Sequence, residues 1–190
     1  MGIVALFACS PEAKKMEAPG WTKDLSIYEI MPRQYNEHRS LSGIAGDLDR
    51  IKYMFFKAIC LLPVLTHDAS NNAFNPNSAF ALLSFEEIDP ELGKPEDLVV
   101  LIDSAHAKGL KVITQWGFSF TGPHHPWRLS NPDYYLSADK MKDGRYNQDY
   151  VTLDLKSSDV QEELIRTLKR YLERFDFDGV MLYGLDHAPP

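Results

Sequence analysis

Two hydrophobic rhythms alternate along this chain. Residues 25–30 (Leu-Ser-Ile-Tyr-Glu-Ile) are rich in strand formers, and Pro32 marks the rim of that strand. Residues 41–56 place Leu41, Ile44, Leu48, Ile51 and Phe55 at helical spacing. Residues 58–65 are a near-continuous apolar run, the pattern of a strand buried on both faces. A loop rich in Asn, Ala and Ser follows, from His67 to about Ser84. Pro95-Glu96-Asp97 then opens a helix with proline in its first turn, and Gly109 closes it. Residues 110–116 predict a third strand, 121–157 a long loop holding most of the tyrosines, and Ser158 the cap of a helix. That helix carries Val160, Leu164, Leu168, Tyr171 and Leu172 on one face. Residues 179–183 predict a fourth strand.

The order β-α-β-α-β-α-β predicts a parallel α/β sheet with right-handed crossovers. A doubly wound sheet and a barrel both satisfy it. No glycine-rich phosphate loop follows any strand, which weighs against a dinucleotide fold. Residues 10–20, polar with proline and glycine, predict a linker, so residues 1–20 are set apart from a domain spanning 21–190.

Composition narrows the function. The chain has 190 residues, 44% hydrophobic and 25% charged, an ordinary globular balance. Its net charge of -7 argues against nucleic acid or an anionic membrane as the main partner, since both demand a cationic face. Aromatics reach 12%, many in loops where flat rings can stack on a ligand. Cys60, inside an apolar run, reads as a small buried hydrophobe. Cys9 closes an apolar N-terminal run that resembles the tail of a bacterial lipoprotein signal without its basic start. This predicts a lipid anchor at Cys9 and a place in the bacterial cell envelope or periplasm. No other stretch is apolar enough for its length to span a bilayer.

Several stretches decide between the architectures: residues 21–30 (WTKDLSIYEI), 58–63 (AICLLP), 88–93 (IDPELG), 105–113 (AHAKGLKVI), His125-Pro126-Trp127 and 175–179 (FDFDG). In this order and spacing they resemble the α-amylase family of glycoside hydrolases, over about Trp21 to His187. The resemblance implies a TIM-type (β/α) barrel with its active site at the C-terminal strand ends, of which this chain carries the first four strands, a half barrel. It also implies an α-glucan oligosaccharide or polysaccharide as partner. Family barrels need ~250 residues, so the family's general-acid Glu and second Asp are expected to be absent from this chain.

The site positions depart from the family pattern. Retaining hydrolysis needs a nucleophilic carboxylate and an acid ~5 Å apart. The family's Gly-x-Arg-x-Asp on strand four reads here Gly179-Val180-Met181-Leu182-Tyr183, so Tyr183 stands at the nucleophile position and Met181 at that of its arginine. On strand three, Gln115, Ser119 and Phe120 replace Asp, Asn and His, and with Ser119 the calcium support is lost, so no cofactor or metal is expected. Phe80 takes the place of a sugar-stacking tyrosine, Ser84 that of an aspartate, and only His187 remains of a Lys-His pair. Phe80, Phe120, Tyr183 and His187 are thus the candidate substrate contacts. Gln115, Phe118, Phe120, Met181 and Tyr183 are expected to fill and dry the strand ends. A tyrosine nucleophile needs a base or cation that Met181 does not supply.

The expected outcome is a hydrolytically silent glycosidase relative. The alternative is a non-catalytic glucan-binding or assembly module. Phe80, Trp116, Trp127, Tyr134, Tyr135 and Tyr146 offer rings for stacking. Strands one and four offer open edges through which two copies close as a homodimer. His124-His125, with His67-Asp68 as distant partners, lack metal-binding spacing. Asp159 favours a helix N-terminus. Phe55-Phe56 replaces the family's Gly-Val pair where a left-handed turn is expected, which puts that loop's geometry at issue.

Overall fold

The computed structural model describes residues 17–35, 37–69, 78–137 and 150–184. Its main sheet has four parallel strands: β1 (Ile27–Ile30), β2 (Ala58–Leu61), β3 (Lys111–Gly117) and β6 (Gly179–Tyr183). They lie in the order β1-β2-β3-β6, the consecutive order of a partial barrel. The registers pair Glu29 with Cys60, Cys60 with Ile113, and Ile113 with Gly179.

The helical face of this sheet carries the main core. Helices α1 (Leu41–Ala45), α2 (Leu48–Tyr53), α3 (Pro95–Ala107) and α5 (Ser158–Arg174) lie between the strands in sequence. Their apolar positions pack with Ile59, Leu61, Val112 and Trp116 in one buried cluster. The inner face is smaller: Ala58, Cys60 and Ile113, covered by Trp21, Leu25 and Met181. Burial and the nearby Glu29 carboxylate push the Cys60 thiol up to about 12, so it stays a neutral apolar group.

The helix expected over 41–56 is broken at Gly46-Asp47. Leu41, Ile44, Leu48 and Ile51 are nevertheless fully buried, because the spacing fixes the buried face and not the continuity of the backbone. Asp47 accepts hydrogen bonds from Arg50 and from the Tyr35 hydroxyl, which hold it as the start of α2. Strand β2 stops at Leu61, short of the expected Leu65. Leu62 donates its N–H to Ile30, but Pro63 has none to give and the ladder ends. Leu65 and His67 instead bridge Ile88 and Leu82 in antiparallel fashion.

Helix ends follow local chemistry. Ser40 Oγ accepts from the Gly43 N–H at 3.1 Å, and Asp97 accepts from the Lys94 N–H at 2.7 Å. Gly109 (φ 70°) supplies the left-handed turn after α3. The first residue outside α5 is Ser157, not Ser158, and its side chain makes no capping bond; Gln161 Nε2 reaches back to the Leu155 carbonyl at 2.7 Å. The expected loop 121–157 holds a short helix α4 (Trp127–Ser130) and a strand β5 (Val151–Thr152). β5 pairs antiparallel with β4 (Phe120–Thr121).

The turn between α2 and β2 keeps the left-handed geometry that the family fills with glycine. Phe55 adopts φ 65°. Its N–H still bonds to Lys52 and its carbonyl accepts from Ser26 Oγ. One backbone bond and one from the Ser26 hydroxyl thus hold a conformation its side chain disfavours.

Candidate functional site

The C-terminal strand ends gather an aromatic cluster around Tyr183. Strand alternation turns Met181 and Tyr183 toward the inner face, where Met181 is level with Gln115 and Tyr183 with Gly117. The Tyr183 ring lies 5.5 Å from Phe80 at a tilted angle and 6.1 Å from Phe120 edge-on. Phe120 stacks edge-on against Tyr150 at 4.8 Å. Ser78 and Tyr150 share a hydroxyl hydrogen bond that closes the ring of contacts.

The β4-β5 ribbon positions this cluster. Phe120 is opposite Thr152, and the Leu153 N–H donates to the Ser119 carbonyl at 3.0 Å. No periodicity in residues 121–157 announces this ribbon, because each strand is two residues long. At the far end of β6, Gly184 (φ 93°) packs directly over Ser119. A Cβ there would come within 2.2 Å of Ser119 Oγ.

The sequence-predicted positions fall out as follows. Phe80, Phe120 and Tyr183 come together. Met181 and Gln115 lie one layer below, flanking each other across two strands. Gln115, Phe118, Ser119 and Phe120 are buried, so these positions fill the strand ends. Tyr183 is 46% exposed, so the end of β6 is filled but not dried. Ser119 Oγ and Gln115 Oε1 are buried without a hydrogen-bond partner among the described residues. His187, Tyr146 and Cys9 lie outside the described residues.

Two charged clusters brace the loops around this end. Asp89 is buried against His67 Nδ1 at 2.7 Å and against Arg33, which also reaches Glu91 at 2.9 Å. Burial pushes the Asp89 carboxyl up, but hydrogen bonds from His67, the Glu91 N–H and Arg33 outweigh it and hold the group below its ordinary range. This cluster ties the exit of β1 to the loop before α3. The 88–93 stretch pointed to a family loop without revealing the triad, since its partners lie 22 and 56 residues away.

Asp68 accepts from both the N–H and Nδ1 of His124 at 2.9 Å. Of the distant pair His67-Asp68, Asp68 thus reaches His124 across 56 residues, while His67 turns to Asp89. The two neighbouring histidines do point apart. His124 is exposed, while His125 is buried between Phe85 and Trp127. Burial lowers the His125 pKa to about 4, and its Nδ1 accepts from the Trp127 N–H. Among the described residues no three His, Cys, Asp or Glu side chains are grouped to hold a metal ion.

At the opposite end of the sheet, Asp178 pins the start of β6. It accepts from the Val112 N–H at 2.9 Å, from His106 Nε2 at 2.7 Å and from Lys111. Burial raises this carboxyl, and those three donors more than compensate and lower it.

Comparison with known proteins agrees with this architecture. The profile of a family described as "Alpha amylase, catalytic domain" matches residues 31–151. An oligo-1,6-glucosidase of Heyndrickxia coagulans is 27% identical over 141 residues, covering 72% of this chain and 23% of the relative. The α-amylase MalA of Haloarcula japonica is 28% identical over 176 residues, 91% of this chain and 23% of that protein. Among solved structures, an α-amylase from Lactobacillus plantarum superposes with a TM-score of 0.76 at 27% identity, over 85% of this chain and 38% of the other. The α-amylase of Geobacillus thermoleovorans, solved with acarbose, gives 0.74 at 25% identity, over 90% and 42%. The chain thus spans about a quarter of the length of these curated relatives. With the profile covering more than half its residues and the strand order matching, the chain belongs to the α-amylase catalytic-domain family.

Proposed function

We propose that this chain is a hydrolytically silent member of its family whose aromatic strand end faces an α-glucan. The observation that carries the reading is the pair Met181 and Tyr183 on β6. Retaining glycosidases need a carboxylate nucleophile, and its substitute here is a phenol packed on Phe80 and Phe120. A phenol becomes a nucleophile only with a base or cation beside it. The register partner of Tyr183 is Gly117, and the pair one layer below, Met181 and Gln115, is neutral.

The glucan half of the reading is supported by the half-exposed Tyr183 ring over Phe80, a surface on which a pyranose can stack. The relatives named amylase and glucosidase supply the substrate class. Where the family supports calcium with an amide, Ser119 offers one hydroxyl buried beneath Gly184, a donor set that does not fit the ion. We therefore expect EDTA to leave the melting temperature unchanged.

The purified chain is expected to release no sugar from maltoheptaose or nitrophenyl α-glucoside above a buffer control. Turnover abolished by Tyr183→Phe overturns the silence. Maltoheptaose titration is expected to give saturable changes in aromatic fluorescence that Tyr183→Ala removes; a flat titration rejects the glucan reading. Closure by a second copy along the edge strands β1 and β6 is the assembly alternative. A stable monomer in sedimentation at micromolar concentration counts against that assembly.

A further inference from the structure

We propose that the turn between α2 and β2 is a membrane-surface contact, with Tyr53 and Phe55 entering the headgroup layer of an anionic bilayer. The starting point is a side chain with no folding role. Phe55 has a left-handed backbone that costs a non-glycine residue energy, and its ring is 87% exposed. Tyr53, two residues earlier, is 82% exposed, and Met54 between them 38%. Met54 is mostly covered, with its sulfur against Arg50, so the two rings of Tyr53 and Phe55 are what project from this tight turn and gain little from the core. Their placement has physical sense only against something outside the molecule.

The surroundings favour lipid over protein. Lys52 and Lys57 flank the turn, and Lys23 lies against it. Lys52 Nζ reaches the Gly109 carbonyl at 3.3 Å, and Lys57 Nζ the Lys23 carbonyl at 3.4 Å. Neither of these bonds neutralises an ammonium charge. Two carboxylates share the rim, Asp24 and Asp49, the second paired with Lys108. An aromatic tip ringed by lysines is the pattern that settles at a lipid interface: rings at headgroup level, ammonium groups on lipid phosphates. The net charge of -7 argues against an anionic membrane for the molecule as a whole, but the field at this turn is decided by charges within a Debye length of ~8 Å, where Lys23, Lys52 and Lys57 lie. No helix among the described residues is long and apolar enough to cross a membrane, so the contact is peripheral.

The path of the chain agrees. Residues 21–26 run beside this turn, since Ser26 Oγ donates to the Phe55 carbonyl and Trp21 lies under Lys111. The chain therefore enters its first strand on the face that carries Tyr53 and Phe55. Tyr183 and Phe80 sit at the other end of the same parallel strands, so a molecule docked by this turn directs its aromatic site away from the bilayer.

The test is flotation of the full chain carrying Cys9→Ser, which excludes any acyl anchor, with two vesicle preparations. One is phosphatidylcholine alone, the other phosphatidylcholine with phosphatidylglycerol. Partition is expected onto the anionic vesicles only. Phe55→Gly and Tyr53→Ser are each expected to weaken it roughly tenfold, and Lys52→Glu with Lys57→Glu to abolish it. Because Phe55→Gly suits the backbone, its melting curve verifies that the fold is intact. No partition, equal partition onto neutral vesicles, or equal partition of the variants overturns the proposal. So does a dimer seen by sedimentation that Phe55→Gly dissociates, which assigns the turn to a second copy.

Discussion

Replacing Phe55 with glycine should stabilise the protein although it removes an aromatic ring. The residue sits at φ 65°, where a Cβ crowds the following carbonyl. That crowding costs about 1–2 kcal/mol for an ordinary residue. Glycine escapes it and loses about 0.5–1 kcal/mol through its freer unfolded chain. The ring is 87% exposed, so truncating it sacrifices little burial. The bonds that define the turn, Phe55 N–H to Lys52 and Ser26 Oγ to the Phe55 carbonyl, are formed by the backbone of residue 55 and survive. The net gain is about 0.5–1 kcal/mol, which for a chain of this size raises the melting temperature by roughly 1–4 °C. Phe55→Ala is the control: it removes the ring and keeps the Cβ, so its melting temperature should stay within about 1 °C of the parent. Paired thermal melts by circular dichroism decide. A glycine variant no more stable than the alanine variant refutes the strain.

Three further outcomes follow from buried charges. The lowered His125 pKa of about 4 means the fold takes the neutral ring and the unfolded chain binds the extra proton. Stability should be full above the ordinary histidine value and fall as pH drops toward 4, by about 2 kcal/mol between pH 7 and 5. Urea midpoints should flatten over that window in His125→Gln, and an unchanged slope sinks the assignment. Arg33→Met leaves Asp89 buried with one partner fewer and should cost about 3–5 kcal/mol in urea unfolding; a loss under about 1 kcal/mol shows the cluster is dispensable. Asp178→Asn weakens the bonds to Lys111 and His106 and should cost about 2 kcal/mol, with the protection of the Val112 amide against hydrogen exchange falling. Unchanged protection contradicts its role as the pin of β6.

Most of the framework was legible because each main element buries one face against the sheet. The spacings of α3 and α5 and the apolar runs of the four parallel strands follow directly from that demand. The breaks were only partly legible. The end of β2 follows from Pro63, which the sequence shows, but the interruption at Gly46-Asp47 depends on Tyr35 and Arg50 converging on one carboxylate. The β4-β5 ribbon is too short to leave a period.

For the candidate site, residue identities fixed what chemistry is missing: a phenol at Tyr183 and a thioether at Met181 carry no carboxylate and no cation at neutral pH. That follows from side-chain structure alone and needs no coordinates. Tertiary structure decided the environment. It brought Phe80 and Phe120 onto Tyr183 from segments 103 and 63 residues before it, left that ring half in water, and joined His124 to Asp68 across 56 residues. It also put the Phe55 turn among lysines from separate segments. Local patterning records which face each element buries. Contacts between distant segments depend on how those faces are assembled, and only the folded chain holds that information.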